Sequence, residues 1–166
     1  MDDSFVARLE EAFQRLLKSL RGRKLTVGFA ESCTGGSLSA KLTEIPGVSD
    51  VFLGSVVSYS NAVKADLLGV SWDTLKSEGA VSEKVVRQMA KGALSALKSD
   101  VAVAITGIAG PSGGSPDKPV GLVWFAVAGP DFDHTEKRNF SGGRVEIQNQ
   151  CVEHAVNLIL RFVEKV

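Results

Sequence analysis

Ser32, Cys33 and Thr34 follow directly on the apolar run Leu25-Thr-Val-Gly-Phe-Ala30, separated from it only by Glu31 and followed by Gly35 and Gly36. A hydroxyl or thiol in such a turn could attack a carbonyl carbon, and the glycines let a ligand approach the main chain closely. The alternatives are that Ser32 and Thr34 only cap the following helix, and that Cys33 is a small buried residue. Lys64, beyond Tyr59-Ser60-Asn61, could act as a general base if burial or a nearby cation lowers its pKa from about 10.4 toward neutrality. Otherwise it is a surface lysine. Tyr59 divides between a polar site contact and a half-buried strand aromatic. Thr106, Gly107 and Gly110 open a glycine-rich loop whose N–H groups could hold an oxyanion or a phosphate. Arg144, after Ser141-Gly-Gly, suits a phosphate or pairs with a carboxylate.

The elements that would position these residues are legible in outline. Phe5, Leu9, Phe13, Leu16, Leu17 and Leu20 recur at helical spacing, with Asp3 or Ser4 as N-cap and Arg21-Gly-Arg-Lys24 as the stop. Leu25–Ala30 reads as a buried strand, and Ser37–Ile45 as a helix closed by Pro46-Gly47. In an α/β sheet the turn between such a pair is where ligands bind, and the unpaired N–H groups of the helix start favour anions there. A second strand is predicted over Gly54–Ser60, then a short helix over Asn61–Leu68 ended by Gly69. Ser82 caps a longer helix reaching Leu97, and Val101–Ile105 is the most apolar strand. Residues 107–121 are expected to be a long ordered loop, since apolar strands flank it. Leu122–Ala128 and His134–Phe140 read as a hairpin, and a last helix starts near Arg144. The order of elements predicts one domain, residues 1–166: a three-layer α/β/α sandwich with a mixed sheet, in which Ser32 and Thr106 meet at one sheet edge.

Composition narrows the function classes. The chain has 166 residues, with 19 Lys and Arg against 19 Asp and Glu, so its net charge argues against nucleic acid or an anionic membrane as partner. No apolar run reaches the length of a membrane span, and Met1-Asp-Asp is a poor secretory start, so a cytoplasmic location is expected. Cys33 and Cys151 have no metal-like spacing to each other or to His134 and His154. They read as reduced thiols, and the two histidines as isolated, structural or solvent-facing groups. Neither G-x-x-x-x-G-K-[ST] nor a G-x-G-x-x-G after a strand occurs, so a nucleoside-triphosphate or dinucleotide fold is not indicated.

The chain resembles the CinA C-terminal domain family, whose enzymatic members are nicotinamide-nucleotide amidases. The resemblance rests on Ala30-Glu-Ser-Cys-Thr-Gly-Gly36, Val57-Ser-Tyr-Ser-Asn61 with Lys64, and Leu68-Gly-Val70. It continues in Ala104-Ile-Thr-Gly-Ile-Ala-Gly-Pro111 with Gly113-Gly114, Lys118-Pro-Val-Gly121, and Phe140-Ser-Gly with Arg144. It implies a fold similar to the anticodon-binding domains and hydrolysis of the carboxamide of nicotinamide mononucleotide to nicotinate mononucleotide and ammonia. Ser32 would be the nucleophile and Lys64 its general base. Thr34, Gly35, Gly36, Tyr59, Thr106, Gly107, Gly110 and Arg144 would contact substrate. No metal or organic cofactor is implied, the partner is a pyridine mononucleotide, and a stand-alone homo-oligomer is expected. The alternative is a nucleotide-binding or regulatory module that keeps the cleft without turnover. Two positions depart from the family pattern: Gly143 stands where an acidic residue is expected, and Gln148 where a second arginine is expected.

Overall fold

The computed structural model describes residues 3–165. In chain order the elements are α1 (Asp3–Arg23), β1 (Val27–Glu31), α2 (Ser37–Thr43), a 3-10 turn (Val48–Asp50), β2 (Phe52–Val57), α3 (Asn61–Leu68), α4 (Trp72–Glu78), α5 (Glu83–Leu97), β3 (Val101–Gly107), β4 (Leu122–Gly129), β5 (Phe132–Asn139) and α6 (Arg144–Val163). The five strands form one mixed sheet in the order β2-β1-β3-β4-β5. β1 runs parallel to β2 and β3, whereas β4 is antiparallel to β3 and β5.

Strand periodicity explains the three layers. Alternate side chains of a strand face opposite sides of the sheet. Val27, Phe29, Val101, Val103, Ile105, Val123, Phe125 and Val127 all belong to one buried cluster, with the apolar stripes of α1, α2 and α6. The residues between them, Ala30, Ala102, Ala104, Ala126 and Ala128, belong to the other, beneath α5 and the neighbouring α3 and α4. One face is thus filled by large side chains and the other by methyl groups, which lets α5 lie close on the sheet. Phe29 and Phe125 are wholly buried, and removing each such ring from water contributes about 1.5–3 kcal/mol. α5 also packs tightly on α3: a Cβ at Gly92 would sit 1.9 Å from the carbonyl oxygen of Leu68. Only glycine fits that crossing.

Several boundaries differ from the sequence reading. α1 already includes Asp3 and Ser4, so its N-terminal cap lies outside the described residues. β1 begins two residues later than expected and extends to Glu31, because Val27 is the first residue in register with both Phe52 and Val101. β2 occupies Phe52–Val57 rather than Gly54–Ser60. The N–H of Ser58 still donates to Glu31 O at 2.7 Å, but the chain then turns so that the Ser60 hydroxyl can accept from Val63 N–H and cap α3. Tyr59 therefore leaves the sheet. Helix α4 was not expected, although the Ser71 hydroxyl caps it by accepting from Asp73 N–H. Segment 108–121 is ordered as predicted: Ile108 N–H donates to Leu122 O, Gly121 N–H to Ile108 O, and Ser115 N–H to Lys118 O.

Candidate active site

Parallel pairing of β1 with β3 sets Glu31, the last residue of β1, opposite Ile105, while β3 continues to Gly107. Ser32 and Thr106 follow at that shared edge, and the N–H of Ser32 donates to Ile105 O at 3.0 Å. α3 then brings the third group. Lys64 sits in its first turn and points back under the sheet edge, where its side chain is buried with only 1% exposure. Its Nζ lies 2.9 Å from Ser32 Oγ and 2.6 Å from the carbonyl oxygen of Ser58.

A buried amine surrounded by neutral groups cannot hold its proton as tightly as one in water. Burial pulls the pKa of Lys64 down to about 8, partly opposed by the neighbouring Cys33 thiol. The neutral form is therefore accessible near neutral pH, as a proton acceptor requires. Ser32 is 8% exposed, enough for one face of its hydroxyl to reach the cavity beside it.

That cavity has a volume of about 250 Å³. Ser32, Cys33, Tyr59, Lys64, Ala80, Val81, Thr106, the loop from Gly107 to Gly113 and Arg144 line it. Both formally charged side chains that line it, Lys64 and Arg144, are cations, and no carboxylate lines it. Arg144 donates through Nη1 to Gly110 O at 2.7 Å and through Nη2 to Tyr59 Oη at 2.9 Å. These partners are neutral oxygens, so the guanidinium keeps an uncompensated charge. Of its two sequence readings, the carboxylate pair does not form. Tyr59, 62% exposed, is a rim residue whose phenol orients Arg144 rather than a strand aromatic.

The turn after Ser32 behaves differently from the simple sequence picture. The start of α2 is not an open anion site. The carboxylate of Glu31, itself wholly buried, accepts from the N–H groups of Leu38 and Ser39 at 3.0 and 2.9 Å. It also accepts from the hydroxyls of Thr34, Ser39 and Ser55. Neither Ser32 nor Thr34 caps α2; its N-cap is Gly36, which accepts nothing through a side chain. Thr34 is buried and held by Glu31, and neither it nor Gly35 and Gly36 are among the residues that line the cavity. The N–H groups of Cys33 and Thr34 form no backbone hydrogen bond among the described residues. Thr106 lines the cavity with its hydroxyl donating to Ala80 O at 2.9 Å, so it also fixes the Ala80 segment of the lining.

Sequence reading passed over three contributors. Glu31 could have been suspected, since a carboxylate at the end of a buried strand must find donors, and Thr34 and Ser39 stand nearby. The Ser58 carbonyl carries no sequence signal. Gln148, at one of the two departing positions, donates through Nε2 to Cys33 O at 2.9 Å and ties the Ser32 turn to α6. Gly143, at the other, precedes a helix start closed by Glu146, whose carboxylate accepts from Gly143 N–H at 2.6 Å. The histidines are not isolated: Nε2 of His134 and of His154 lie 3.1 and 3.0 Å from the two oxygens of Glu136, away from the cavity. Among the described residues no group of three His, Cys, Asp or Glu is placed to hold a metal ion, and no helix is long and apolar enough to cross a membrane.

Comparison with known proteins agrees with this architecture. The family model of the CinA C-terminal domain matches residues 9–163. A CinA-like protein of Synechococcus is 53% identical over 87% of this chain, and one of Thermotoga sp. (strain RQ2) is 44% identical over 95%. The chain spans 35% and 38% of the length of these two relatives. Among solved structures, the competence/damage inducible protein CihA from Agrobacterium tumefaciens superposes with a TM-score of 0.90 at 42% identity, covering 93% of this chain and 94% of that one. A CinA superfamily protein from Klebsiella pneumoniae gives 0.91 at 33% identity, covering 95% and 99%. The mixed sheet, the Ser32 turn and the match over nearly the whole length have one reading: this chain belongs to the CinA C-terminal domain family.

Proposed function

We propose that this chain is an amidohydrolase that converts nicotinamide mononucleotide to nicotinate mononucleotide and ammonia. The observation that carries the proposal is the contact of 2.9 Å between a buried, readily deprotonated Lys64 and the Ser32 hydroxyl at the end of a cation-lined cavity. Neutral Lys64 takes the Ser32 proton as Oγ attacks the carboxamide carbon. The oxyanion that forms would be met by the Cys33 N–H, which has no backbone partner and adjoins the nucleophile. Lys64 then gives the proton to the departing ammonia. Water, activated by the same amine, releases the nicotinate product from Ser32.

A second cation in the cavity lining supports an anionic substrate. Arg144 carries an uncompensated charge beside the glycine-rich 110–113 segment, where a phosphate could replace neutral partners. Binding energy from that remote group would hold the carboxamide against Ser32. The identity of the base, a pyridine, comes from the resemblance of the motifs to those of nicotinamide-nucleotide amidases.

The deciding experiment is to incubate the pure protein with nicotinamide mononucleotide, nicotinamide riboside and nicotinamide, and to measure ammonia from each. Release from the mononucleotide well above the other two is expected. Tight binding of the mononucleotide with no ammonia would replace this reading by a non-catalytic binding module.

A further inference from the structure

The turn that carries Ser32 leaves one peptide unsecured by the main chain. Ser32 N–H donates to Ile105 O, Gly35 N–H to Ser32 O and Ser37 N–H to Thr34 O, each at 3.0 Å. These bonds hold the chain on both sides of the Cys33–Thr34 peptide. That peptide is the central one of the β-turn Ser32–Gly35, and the turn's own hydrogen bond does not involve it. Its N–H forms no backbone hydrogen bond among the described residues, and its carbonyl accepts from Gln148 Nε2 at 2.9 Å, 115 positions away in the sequence. Gln148 lies one helical turn beyond Arg144 on the same face of α6. Ile147, Cys151 and Val152 around it are buried in the core, so its backbone is a fixed post. Unlike Arg144, it does not line the cavity, and it acts there only through Cys33. Inverting the held peptide would force a positive φ on Thr34, which is β-branched and has none. Gln148 therefore restrains tilt rather than inversion. With the chain anchored on both sides, a tilt is taken up at Cys33 and Thr34, and it shifts the Cys33 N–H against the Ser32 hydroxyl.

We propose that Gln148 is a positioning residue for the Ser32–Lys64 chemistry: by holding the Cys33 carbonyl, it keeps the Cys33 N–H beside the Ser32 hydroxyl, where the oxyanion forms. Its effect on turnover rests on the amidase reading above, whereas the restraint on the turn does not. The carboxamide oxygen gains its negative charge only as Ser32 attacks, so a misplaced donor is felt in the transition state and not in the bound substrate. Displacement of a reacting group by about 1 Å can cost about a hundredfold in rate. Arg144 keeps its own partners, Gly110 O and Tyr59 Oη, when Gln148 changes, so substrate binding through its charge is left in place.

Two variants lose the contact in different ways. Gln148→Asn keeps the amide but ends one carbon–carbon bond, roughly 1.5 Å, short of the carbonyl. Gln148→Met keeps the length and removes the donor; where one of the two does not fold, the other decides. Both are assayed for ammonia release from nicotinamide mononucleotide. A kcat lower by about ten- to a hundredfold, with KM within about twofold of wild type, is expected in each. A kcat within about twofold of wild type in a folded variant overturns the proposal, and so does a loss carried by KM. If the wild-type protein releases no ammonia, the amidase reading fails on its own, and amide hydrogen exchange followed by NMR decides on Gln148. The N–H groups of Gly35 and Ser37, which close the turn, should then exchange about tenfold faster in both variants. Rates equal to those of wild type reject the restraint.

Discussion

Lys64 Nζ meets Ser32 Oγ at 2.9 Å because a ring of main-chain contacts leaves it nowhere else to go. The Ser58 N–H donates to Glu31 O at 2.7 Å, and the Ser58 carbonyl accepts from Lys64 Nζ at 2.6 Å. Glu31 and Ser32 are covalent neighbours, so the ring closes on Ser32. The first turn of α3 and the end of β1 are thereby held at fixed separation before any ligand enters. Lys64 Nζ donates to both the Ser58 carbonyl and Ser32 Oγ; in the proposed mechanism the bond to Ser58 would leave the lone pair of the neutral amine to turn toward the serine proton. Preorganisation of this kind removes part of the entropic barrier to attack.

Ser32→Ala should abolish ammonia release while the melting temperature and the affinity for nicotinamide mononucleotide stay near wild type. The substitution removes the attacking oxygen and no core packing. Cys33→Ala should retain most of its turnover, since the thiol has no part in the proton path. Parallel kinetics and calorimetry on the two variants check this; a dead Cys33→Ala beside an active Ser32→Ala would reassign the nucleophile.

Arg144→Ala should raise the KM for the mononucleotide far more than for the riboside. A charge-assisted contact is worth about 1.5–3 kcal/mol, so the rise should be about ten- to a hundredfold. Equal losses on both substrates would mean that Arg144 acts through Tyr59 and Gly110, its partners in the free protein, and not on phosphate.

Glu31 governs the turn from behind. Glu31→Gln turns one of its two accepting oxygens into a donor, which then faces donors among the N–H and hydroxyl groups of α2 and the turn. A loss of about 2–3 kcal/mol in unfolding free energy is expected, or roughly 5–10 °C in melting temperature. Turnover should fall through kcat more than through KM, because the displaced group is the nucleophile turn and not the Arg144 end. Thermal unfolding together with Michaelis kinetics measures both.

How much of this was readable in advance follows from the range of each interaction. The apolar runs of β3 and β4 are written within single strands, and the sequence located both as strands, although the alternation of large residues with alanine that separates the two sheet faces went unread. The start of α6 at Arg144 was marked locally by Ser141-Gly-Gly. The meeting of Ser32 with Thr106 needed only the order of two parallel strands. Lys64 was different: its spacing suited a surface residue, and only the packing of α3 against the sheet edge made it a buried amine. The Glu31 cap, the Ser58 carbonyl and the Gln148 link are long-range or main-chain contacts, which no local pattern encodes.

The protonation of Lys64 links activity to stability, and the signs can be worked out. Burial lowers its folded pKa to about 8, against a value of 10.5 for a free lysine. Only the neutral amine can take the Ser32 proton, so turnover should rise with pH through an apparent pKa near 8 and level off above it. The unfolded chain binds this proton more tightly than the folded one, so acid favours unfolding. The penalty is complete below about 8 and is relieved as pH rises from there to 10.5. Its size is on the order of 3 kcal/mol for such a shift. Lys64→Met removes both the base and the penalty. It should be inactive at every pH, and the difference between its unfolding free energy and that of wild type should shrink steadily between pH 8 and 10.5. Lys64→Arg keeps a cation that cannot lose its proton and should be inactive as well. Denaturant titrations across pH, paired with ammonia assays, test the two halves together. Near-normal turnover in Lys64→Arg would show that Lys64 is a fixed charge, and the Ser–Lys mechanism would have to be abandoned.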